Sequence, residues 1–393
     1  MTKREQYRYQ LVNEMLKGKM RRREVALLLN VRERTVSRMA GRIRKRGILG
    51  GVHGNRDREP VNKLPQQEIA KAVELVKGRY FDFNMRHALE ILNSQHKVKF
   101  SYTSFRRICH REKLVRLHPR RRPKVHRKRE RMASEGMLIQ FDGSHHEWVK
   151  GHKWCLIAGI DDATSEVAYA EFFEAESTLT CMKVMKNIVD KKGVPLAFYV
   201  DRAGWFGGMK RQNTSQVQRA CEEIGVRVLF AYTPQAKGRI ERLWGTLQDR
   251  LIPEMRLKGI RTLAEANRYL QQAFLPRYWN KRHRIAAANP KSQYRPLPKQ
   301  TDLRQVFCIK QYRTVRGDHM IFWETKGYRV QTDCSLKGKD IELRTYLDGT
   351  WRAFFKDRPV AVERYGIDLA SSRGMQVHWK PKLITGVTKS LAN

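Results

Sequence analysis

The sequence is poor in acidic residues. It contains 39 Asp and Glu against 80 Lys and Arg, which gives a net charge of +41 over 393 residues. An excess of this size is typical of a protein whose partner is a polyanion, and nucleic acid is the obvious one. Charge alone does not name the function, because ribosomal and architectural proteins share it. Apolar residues make up 41% of the chain, which favours folded domains over a disordered basic tail.

The sequence also lacks paired cysteines and long apolar runs. Its six cysteines form no Cys-x-x-Cys pair, and no histidine stands at zinc-finger spacing from one of them. We therefore expect the scattered, reduced thiols of a cytosolic protein. The first residues, MTKREQYRYQ, are too polar for a signal peptide, and no apolar run approaches the length of a membrane span. These absences predict a soluble intracellular protein with no membrane partner.

Shifts in composition along the chain predict a multidomain α/β protein. The N-terminal third reads as helical and basic, the middle alternates strands with helices, and the C-terminal part is mainly β with an Asp-Gly hairpin signal. The N-terminal third is predicted to hold a helix-turn-helix DNA-binding domain (1–60) and a second helical DNA-binding domain (61–115). A basic linker (116–136) leads to the mixed α/β core (137–290). A small β-barrel (301–364) and a tail (365–393) follow.

The linker is dense in Lys and Arg, and Pro119 and Pro123 interrupt any helix in it. Like charges at this density repel one another, so the segment is expected to stay extended until it meets counter-charge. Clustered cations that bind DNA release its counterions, and this release favours binding. We therefore expect Arg121, Arg122 and Lys124 to contact phosphates. A plain solvated hinge is the alternative.

Residues 21–47 have the pattern of a helix-turn-helix. A first helix is predicted over 22–29, a turn over 30–32 and a second helix over 33–46. Apolar residues of both helices fall at spacings that bury one face, while a polar and basic face stays outside. A recognition helix needs such a face to reach base edges and phosphates. We predict DNA contacts from Arg34, Thr35, Arg38 and Arg42. A helical bundle that touches only protein is the alternative.

The pattern over 137–290 predicts the element order β-β-β-α-β-α-β-α. Three strands are expected first, then a helix with Ser177 as N-cap and Gly193 beyond its end, and then a short strand that ends at Asp201. Strands joined through helices imply a parallel part of the sheet, and the leading hairpins imply an antiparallel part. The first and fourth strands can then lie side by side.

Three acidic residues stand where such a sheet gathers ligands. Asp142 and Asp201 each end an apolar strand, and Glu241 lies near the start of the helix that follows the fifth strand. In mixed α/β sheets, ligands collect at the carboxyl ends of the strands. Glu241 borders the apolar stripe of its helix, one turn before Trp244, and is therefore expected to lean towards the sheet. We predict that the three carboxylates converge.

Converging carboxylates in so basic a protein need a cation. Hard oxygen ligands suit Mg²⁺ or Mn²⁺, and two such ions would activate a nucleophile and stabilise the leaving oxygen of a phosphodiester. We therefore predict Asp142, Asp201 and Glu241 as catalytic residues and as ligands of two ions. Asp249 and Glu254 could replace Glu241, but they lie two or more turns further along. Basic residues beside the site are expected to grip DNA phosphates, namely Lys237, Arg239 and Arg242.

Two other groups of residues are candidates for the site and are assigned other roles. Asp161 and Asp162 lie between two strands, at the end of the hairpin opposite the first carboxylate, and we predict turn and capping roles for them. The adjacent His145 and His146 point to opposite faces of a strand, so they make a poor joint ligand.

The segments LIQFDGSHHEW, YVDRAGWF and TPQAKGRIERLWGTLQ together resemble the three signature blocks of the DDE transposase and integrase superfamily. The last block, with RYWNKRHRIAAANP behind it, resembles ISNCY-type insertion-sequence transposases more than retroviral integrases. The resemblance implies an RNase H-like catalytic core, with Asp142 on both metals, Asp201 on one and Glu241 on the other. It also implies an N-terminal reader of the element ends and a C-terminal barrel that touches DNA.

Two features depart from the family pattern. The usual Asp-Asn-Gly after the fourth strand is replaced by Asp-Arg-Ala-Gly at 201–204. The spacing between Asp201 and Glu241 is also longer than usual, which we attribute to an insertion at 207–213. Neither change removes a predicted ligand.

The resemblance implies a DNA transposase of a bacterial insertion sequence. It would bind the terminal inverted repeats, cleave the 3′ ends of the element and join them to target DNA, in the nucleoid-associated cytoplasm. Because two ends must be handled together, we expect double-stranded DNA as partner and a homo-oligomer, at least a dimer, on it. The alternatives are a non-catalytic DNA-binding regulator that kept the fold and an RNase H-type nuclease on RNA–DNA hybrids.

Overall fold

The computed structural model describes most of the chain, namely residues 1–53, 56, 59, 63–115, 129–201, 215–231 and 237–368. The chain divides into two compact units, Met1–Leu75 and Val76–Asn393. The predicted phosphate contacts Arg121, Arg122 and Lys124 lie outside the described residues, as do the 202–214 loop and the tail from 369 onward. Among the helices that are described, none combines the length and the apolar character that a membrane span requires.

Three helices of the first unit share one core. They are α1 (Lys3–Leu16), α2 (Arg22–Leu28) and α3 (Glu33–Arg46), and a 3₁₀ turn (Gly47–Gly51) follows them. Val12, Val25 and Val36 are fully buried in their shared core. The two helices predicted over 22–46 are confirmed within one residue. In the turn between them, Asn30 has a φ of +50°, a left-handed conformation that asparagine tolerates better than most residues.

Three more helices follow, α4 (Gln66–Gly78), α5 (Met85–Gln95) and α6 (Tyr102–Arg111). Asn84 and Ser101 cap α5 and α6, since each side-chain oxygen accepts a backbone N–H from the first turn of its helix. The two helices are in contact, and they bury Leu92 and Phe105. The helical character predicted for this segment is therefore present.

Five strands form the sheet of the α/β core. They are β1 (Ile139–Val149), β2 (His152–Asp161), β3 (Val167–Phe173), β4 (Ala197–Val200) and β5 (Arg227–Phe230), in the order β3-β2-β1-β4-β5. β1, β2 and β3 are antiparallel, whereas β4 and β5 run parallel to β1. The predicted mixed sheet is confirmed. β1 and β4 are neighbours, as expected when a helical crossover returns the chain to the central strand.

Helices cover both faces of this sheet. They are α7 (Thr178–Lys192), α8 (Gln216–Glu223), α9 (Gly238–Leu257) and α10 (Leu263–Tyr269). α7 and α8 bury Met185 and Val217 against one face. α9 and α10 bury Leu247 and Ala266 against the other. The sheet is therefore the middle layer of a three-layer core.

Local signals explain where two of these helices begin and end. Ser177 caps α7 by accepting the N–H of Thr180, and Gly193 follows its last residue with a φ of +96°, both at the predicted positions. Beyond α10 the chain does not continue as a regular α-helix but as a π-helix (Leu270–Trp279) and then as the short α11 (Asn280–Arg282). Pro276 lies inside the π-helix and has no N–H to donate, which disfavours a regular α-helix there.

α5 is fastened to α9 by polar contacts. Arg250 of α9 lies 2.9 Å from a carboxylate oxygen of Glu90, and Arg282 reaches the same side chain at 2.8 Å. His87, which is buried, lies 3.0 Å from Glu254 of α9. This face of α5 is therefore engaged with protein, and any DNA contact by the segment would use its other faces.

The C-terminal part forms a second sheet. Short helix α12 (Leu303–Val306) leads into β6 (Ile309–Thr314), β7 (Met320–Trp323), β8 (Lys326–Gln331), β9 (Asp340–Thr345), β10 (Trp351–Phe355) and β11 (Arg358–Asp368). The strand order is β6-β9-β10-β11-β8-β7, and all neighbours are antiparallel. The edge strands β6 and β7 approach each other, so the sheet nearly closes around Val330, Ile341 and Leu343. The predicted barrel is confirmed in this nearly closed form.

Candidate active site

β1 and β4 bring two of the predicted carboxylates to the same end of the core sheet. The strands are parallel, and Gln140 lies opposite Tyr199. Asp142 on β1 and Asp201 directly after β4 each lie two residues beyond this pair. If the register continues, their side chains leave the same face of the sheet. Because adjacent strands lie about 4.8 Å apart, the two carboxylates start close enough to share a cation.

Asp142 is held by two side chains of the α9 region. The Nζ atom of Lys237 lies 2.7 Å from Oδ1, and the indole Nε1 of Trp244 donates to Oδ2 at 3.1 Å. The side chains of Lys237 and Asp142 are only 8% and 20% exposed, so water screens this ion pair weakly. In addition, Oε1 of Gln140 accepts the backbone N–H of Ile240 at 3.2 Å. These contacts fix the first turns of α9 to β1.

Glu241 lies on α9 between Lys237 and Trp244, the two residues that contact Asp142, but its own side chain is exposed, so the expectation that it leans towards the sheet is wrong. It follows Lys237 by four residues and precedes Trp244 by three, and both spacings place side chains on one side of an α-helix. Its side chain is exposed and belongs to the first turn of the helix, where the helix dipole favours a negative charge. The third predicted carboxylate is therefore carried on the surface of α9. Asp142 does not end its strand as predicted, because β1 continues beyond it to Val149.

Two of the residues predicted to contact phosphate, Lys237 and Arg239, pair with carboxylates of the protein instead. Lys237 pairs with Asp142, and Nη1 of Arg239 lies 2.7 Å from Oδ1 of Asp162, whose side chain is fully buried. Arg242, by contrast, is exposed. A phosphate contact by Lys237 or Arg239 would compete with a protein carboxylate, whereas Arg242 is accessible as it stands.

Asp161 and Asp162 have different roles although they are adjacent. Asp161 accepts the N–H of Thr164 at 2.9 Å, which confirms its predicted part in the turn. Asp162 instead accepts from Nε2 of Gln140 at 2.7 Å and faces the guanidinium groups of Arg129 and Arg239. The turn role predicted for Asp162 does not include these contacts, because the partners of Asp162 come from distant parts of the chain. Asp162 ties the segment before β1 and the start of α9 to the sheet.

The predicted recognition face of α3 lies on the surface. Arg34, Arg38 and Arg42 are exposed, Thr35 is half-buried, and Val36 is fully buried on the opposite side. The three arginines are spaced by four residues and so form one row along the helix. The first unit therefore presents a cationic edge to any ligand of opposite charge.

Three residues that the sequence did not bring together meet beside β1. They are His145 on β1, Cys155 on β2 and Glu176 before α7, and one ligand atom from each lies within 4.8 Å of the others. Burial raises the pKa of Glu176, against hydrogen bonds from His145 and the thiol of Cys181 that lower it. No short motif signals this group, since its members depend on the register of β1 with β2 and on the path of the loop before α7.

The three predicted carboxylates supply the donor atoms that a hard divalent ion requires. Carboxylate oxygens are the ligands that Mg²⁺ and Mn²⁺ prefer in proteins. The chemistry of the donor set therefore fits Mg²⁺ or Mn²⁺, and an ion on Oδ1 of Asp142 would take the place of the ammonium group of Lys237.

The chain is similar to two known proteins over most of its length. It is 30% identical over 385 residues to y4bF of Sinorhizobium fredii, a protein named as a candidate transposase, and the match covers 92% of this chain and 83% of that protein. It is 26% identical over 381 residues to the transposase for insertion sequence IS1202 of Streptococcus pneumoniae, covering 85% and 79%. The chain belongs to the insertion-sequence transposases. The membership in the transposases that the three sequence blocks imply is thereby confirmed.

Other comparisons of the transposase add less. No family model matches its sequence. Among solved structures, it is similar to the catalytic core domain of HTLV-2 integrase in complex with magnesium, in the trimeric form, with a TM-score of 0.29 and 18% identity, covering 36% of the transposase and 88% of the integrase chain. It is also similar to a chain of the simian T-cell lymphotropic virus intasome in complex with PP2A regulatory subunit B56 gamma, with a TM-score of 0.33 and 14% identity, covering 75% and 98%.

Proposed function

We propose that the transposase binds the terminal inverted repeats of an insertion sequence, cleaves the 3′ ends of the element and joins them to target DNA. The observation that carries the proposal is the contact of Asp142 with Lys237 and Trp244 in the first turns of α9, the helix that carries Glu241, beside the end of the strand that leads into Asp201. The net charge of +41 supports a polyanionic substrate.

Both proposed steps are in-line displacements at phosphorus. A water molecule attacks the phosphorus at the element end, and the 3′ oxygen of the element strand leaves and takes up a proton. That 3′-hydroxyl gives up its proton as it attacks a phosphorus of the target strand, and a 3′ oxygen of the target leaves. Neither step needs a covalent bond between DNA and protein.

Asp142, Asp201 and Glu241 would hold two Mg²⁺ or Mn²⁺ ions, which when bound activate the nucleophile and stabilise the leaving oxygen. Trp244 orients Asp142 by donating to its Oδ2, and Lys237 neutralises its Oδ1. The same two contacts fasten α9 to β1 on either side of Glu241. The third carboxylate would thus be presented by a rigid element rather than by a loop.

We propose α3 as the reader of the element ends. Its exposed row of Arg34, Arg38 and Arg42, with Thr35 beside it, has the charge and shape that a recognition helix needs in the major groove. Further phosphate contacts are proposed for Lys237, Arg239, Arg242, Arg121, Arg122 and Lys124, the first two in exchange for the carboxylates that they face. Because two element ends must be paired, the active form would be at least a homodimer on double-stranded DNA at the bacterial nucleoid.

A cleavage assay on terminal-repeat DNA tests this function. In Mg²⁺, the wild type should nick the DNA, whereas Asp142→Asn and Glu241→Gln should bind it without nicking. Asp190→Asn is the control, because Asp190 pairs with Lys186 on the surface of α7 and should leave nicking unchanged. If both active-site variants nick normally, the assignment of the carboxylates fails.

The same assay separates the alternatives. A wild type that binds terminal repeats but does not cut in Mg²⁺ or Mn²⁺ would be a DNA-binding regulator that kept the fold. Faster cutting of RNA–DNA hybrids than of duplex DNA would identify an RNase H-type nuclease.

A further inference from the structure

Nitrogen, sulfur and oxygen donors lie together where β1, β2 and the segment before α7 meet. His145 on β1 is the direct cross-strand partner of Cys155 on β2. Glu176 approaches from the segment before α7, and its Oε2 lies 3.3 Å from Nε2 of His145. One donor atom from each residue lies within 4.8 Å of the other two. A small ion between them could be bound by all three after modest side-chain shifts, since zinc ligands lie about 2.0–2.3 Å from the metal.

Gly143 leaves the space that this approach requires. A Cβ atom at position 143 would lie 2.8 Å from Oε2 of Glu176 and 3.1 Å from Sγ of Cys155. The first distance is too short for a side-chain carbon, and the second requires the thiol to move. Because Gly143 is two residues from His145, both belong to the same face of β1. The glycine thus allows the carboxylate and the thiol to meet across the strand.

The surroundings of the three residues suit a bound ion. The thiol of Cys181 donates to Oε1 of Glu176 at 3.6 Å, which orients the carboxylate with its Oε2 towards His145. The side chains of His145 and Glu176 are 65% and 14% exposed, while Cys155 is fully buried. The imidazole therefore forms a rim open to solvent and the thiol forms the floor, which gives an ion an access route.

We propose that His145, Cys155 and Glu176 bind one divalent cation of the zinc class, with a fourth position left for water. Imidazole nitrogen, thiolate sulfur and carboxylate oxygen are the ligands of Zn²⁺, whereas Mg²⁺ avoids thiolate. The ion would take the place of the thiol proton and release it to solvent. Asp142 starts from the opposite face of β1, because consecutive strand residues alternate and Asp142 precedes Gly143, but its charge still acts on the thiol of Cys155.

The site would be coupled to the proposed catalytic carboxylates by charge. The negative charges of Glu176 and Asp201 repel each other, and a cation bound to Glu176 offsets this repulsion. The proposal of a zinc-class site does not depend on the cleavage chemistry, and a test of it needs no DNA.

Titration of the full-length metal-free protein with Co²⁺ tests the proposal, because cobalt bound to thiolate gives a charge-transfer absorption band in the near ultraviolet. We expect the band to saturate at about one equivalent and to disappear when Zn²⁺ is added in excess. Cys155→Ser should abolish it. His145→Asn changes an exposed residue, Glu176→Gln is isosteric, and each should weaken Co²⁺ binding at least about tenfold. Circular dichroism shows whether each variant is folded.

Two controls make the result specific. Cys334→Ser removes an exposed thiol far along the chain, and Asp142→Asn removes a proposed magnesium ligand; both should keep the band. Absence of the band in the wild type would overturn the proposal. So would a band that survives in Cys155→Ser, or one that is lost in Cys334→Ser.

Discussion

The Nζ atom of Lys237 lies 2.7 Å from Oδ1 of Asp142, in a pair that is largely buried. In Lys237→Met, the carboxylate of Asp142 loses its countercharge, and we expect a loss of about 2–3 kcal/mol in the free energy of unfolding without divalent ions. If Asp142 is a metal ligand, Mg²⁺ replaces that countercharge. Thermal unfolding should then show a larger stabilisation by Mg²⁺ in Lys237→Met than in the wild type.

Lys183→Met provides the matched control for this experiment. Lys183 lies 2.7 Å from Glu171, a carboxylate that is not predicted to bind metal. Mg²⁺ should not restore the stability that Lys183→Met loses. Equal effects of Mg²⁺ on the wild type and on both variants would argue against a cation site at Asp142.

The carboxylate of Asp162 should be more important for stability than any surface charge. It is fully buried between the guanidinium groups of Arg129 and Arg239 and also accepts from Gln140. Asp162→Asn leaves both cations without a countercharge, so we expect a loss of about 3–5 kcal/mol in urea unfolding. Asp190→Asn breaks a surface pair and should cost less than about 1 kcal/mol. Similar losses in the two variants would show that the Asp162 contacts are unimportant.

Removal of arginines from α3 should change the salt dependence of DNA binding. Arg38 and Arg42 are exposed on one row of the helix. If each contacts a phosphate, Arg38→Ala and Arg42→Ala should each reduce the slope of log K against log salt by about 1. Arg277→Ala, at an exposed position in the π-helix, should leave the slope unchanged. Fluorescence anisotropy over a range of salt concentrations measures this, and identical slopes for all variants would exclude α3 from the interface.

Glu5 should make the stability of the first unit depend on pH. The backbone N–H of Thr2 donates to its carboxylate at 2.8 Å, and Arg56 pairs with it, so its pKa falls from the ordinary 4.5 to about 2. Because the folded pKa is depressed, this contribution is complete above pH 4.5 and is lost as the pH falls towards 2. Glu5→Gln should therefore lower the melting temperature at neutral pH, and the difference from the wild type should vanish at acid pH. A difference that is constant with pH would contradict this.

The sequence predicts best those elements whose signals are local. The bounds of α3 and α7 follow from apolar spacing and, for α7, from Ser177 and Gly193 at its ends. The adjacency of β1 and β4 follows from the rule that a helix connects parallel strands. The π-helix was not predicted, because apolar spacing alone does not distinguish a π turn from an α turn and Pro276 weakens the regular ladder.

The candidate site is also predictable only in part, because many of its contacts join residues that are far apart in the sequence. Spacing predicts Asp142, Asp201 and Glu241 as site residues, but charge alone cannot show that Lys237 and Arg239 pair with protein carboxylates. The contacts of Asp162 with Arg129 and Arg239 link segments far apart in sequence. Such contacts depend on the packing of α9 against the sheet, which no local pattern encodes.

The central claim is that three carboxylates share divalent ions, and crystals of the transposase soaked in Mn²⁺ test it most directly by anomalous diffraction. We expect anomalous peaks bounded by Asp142, Asp201 and Glu241, and the loss of at least one of them in Glu241→Gln. A map without any peak among these residues, with their side chains directed to separate regions of the molecule, would contradict the account.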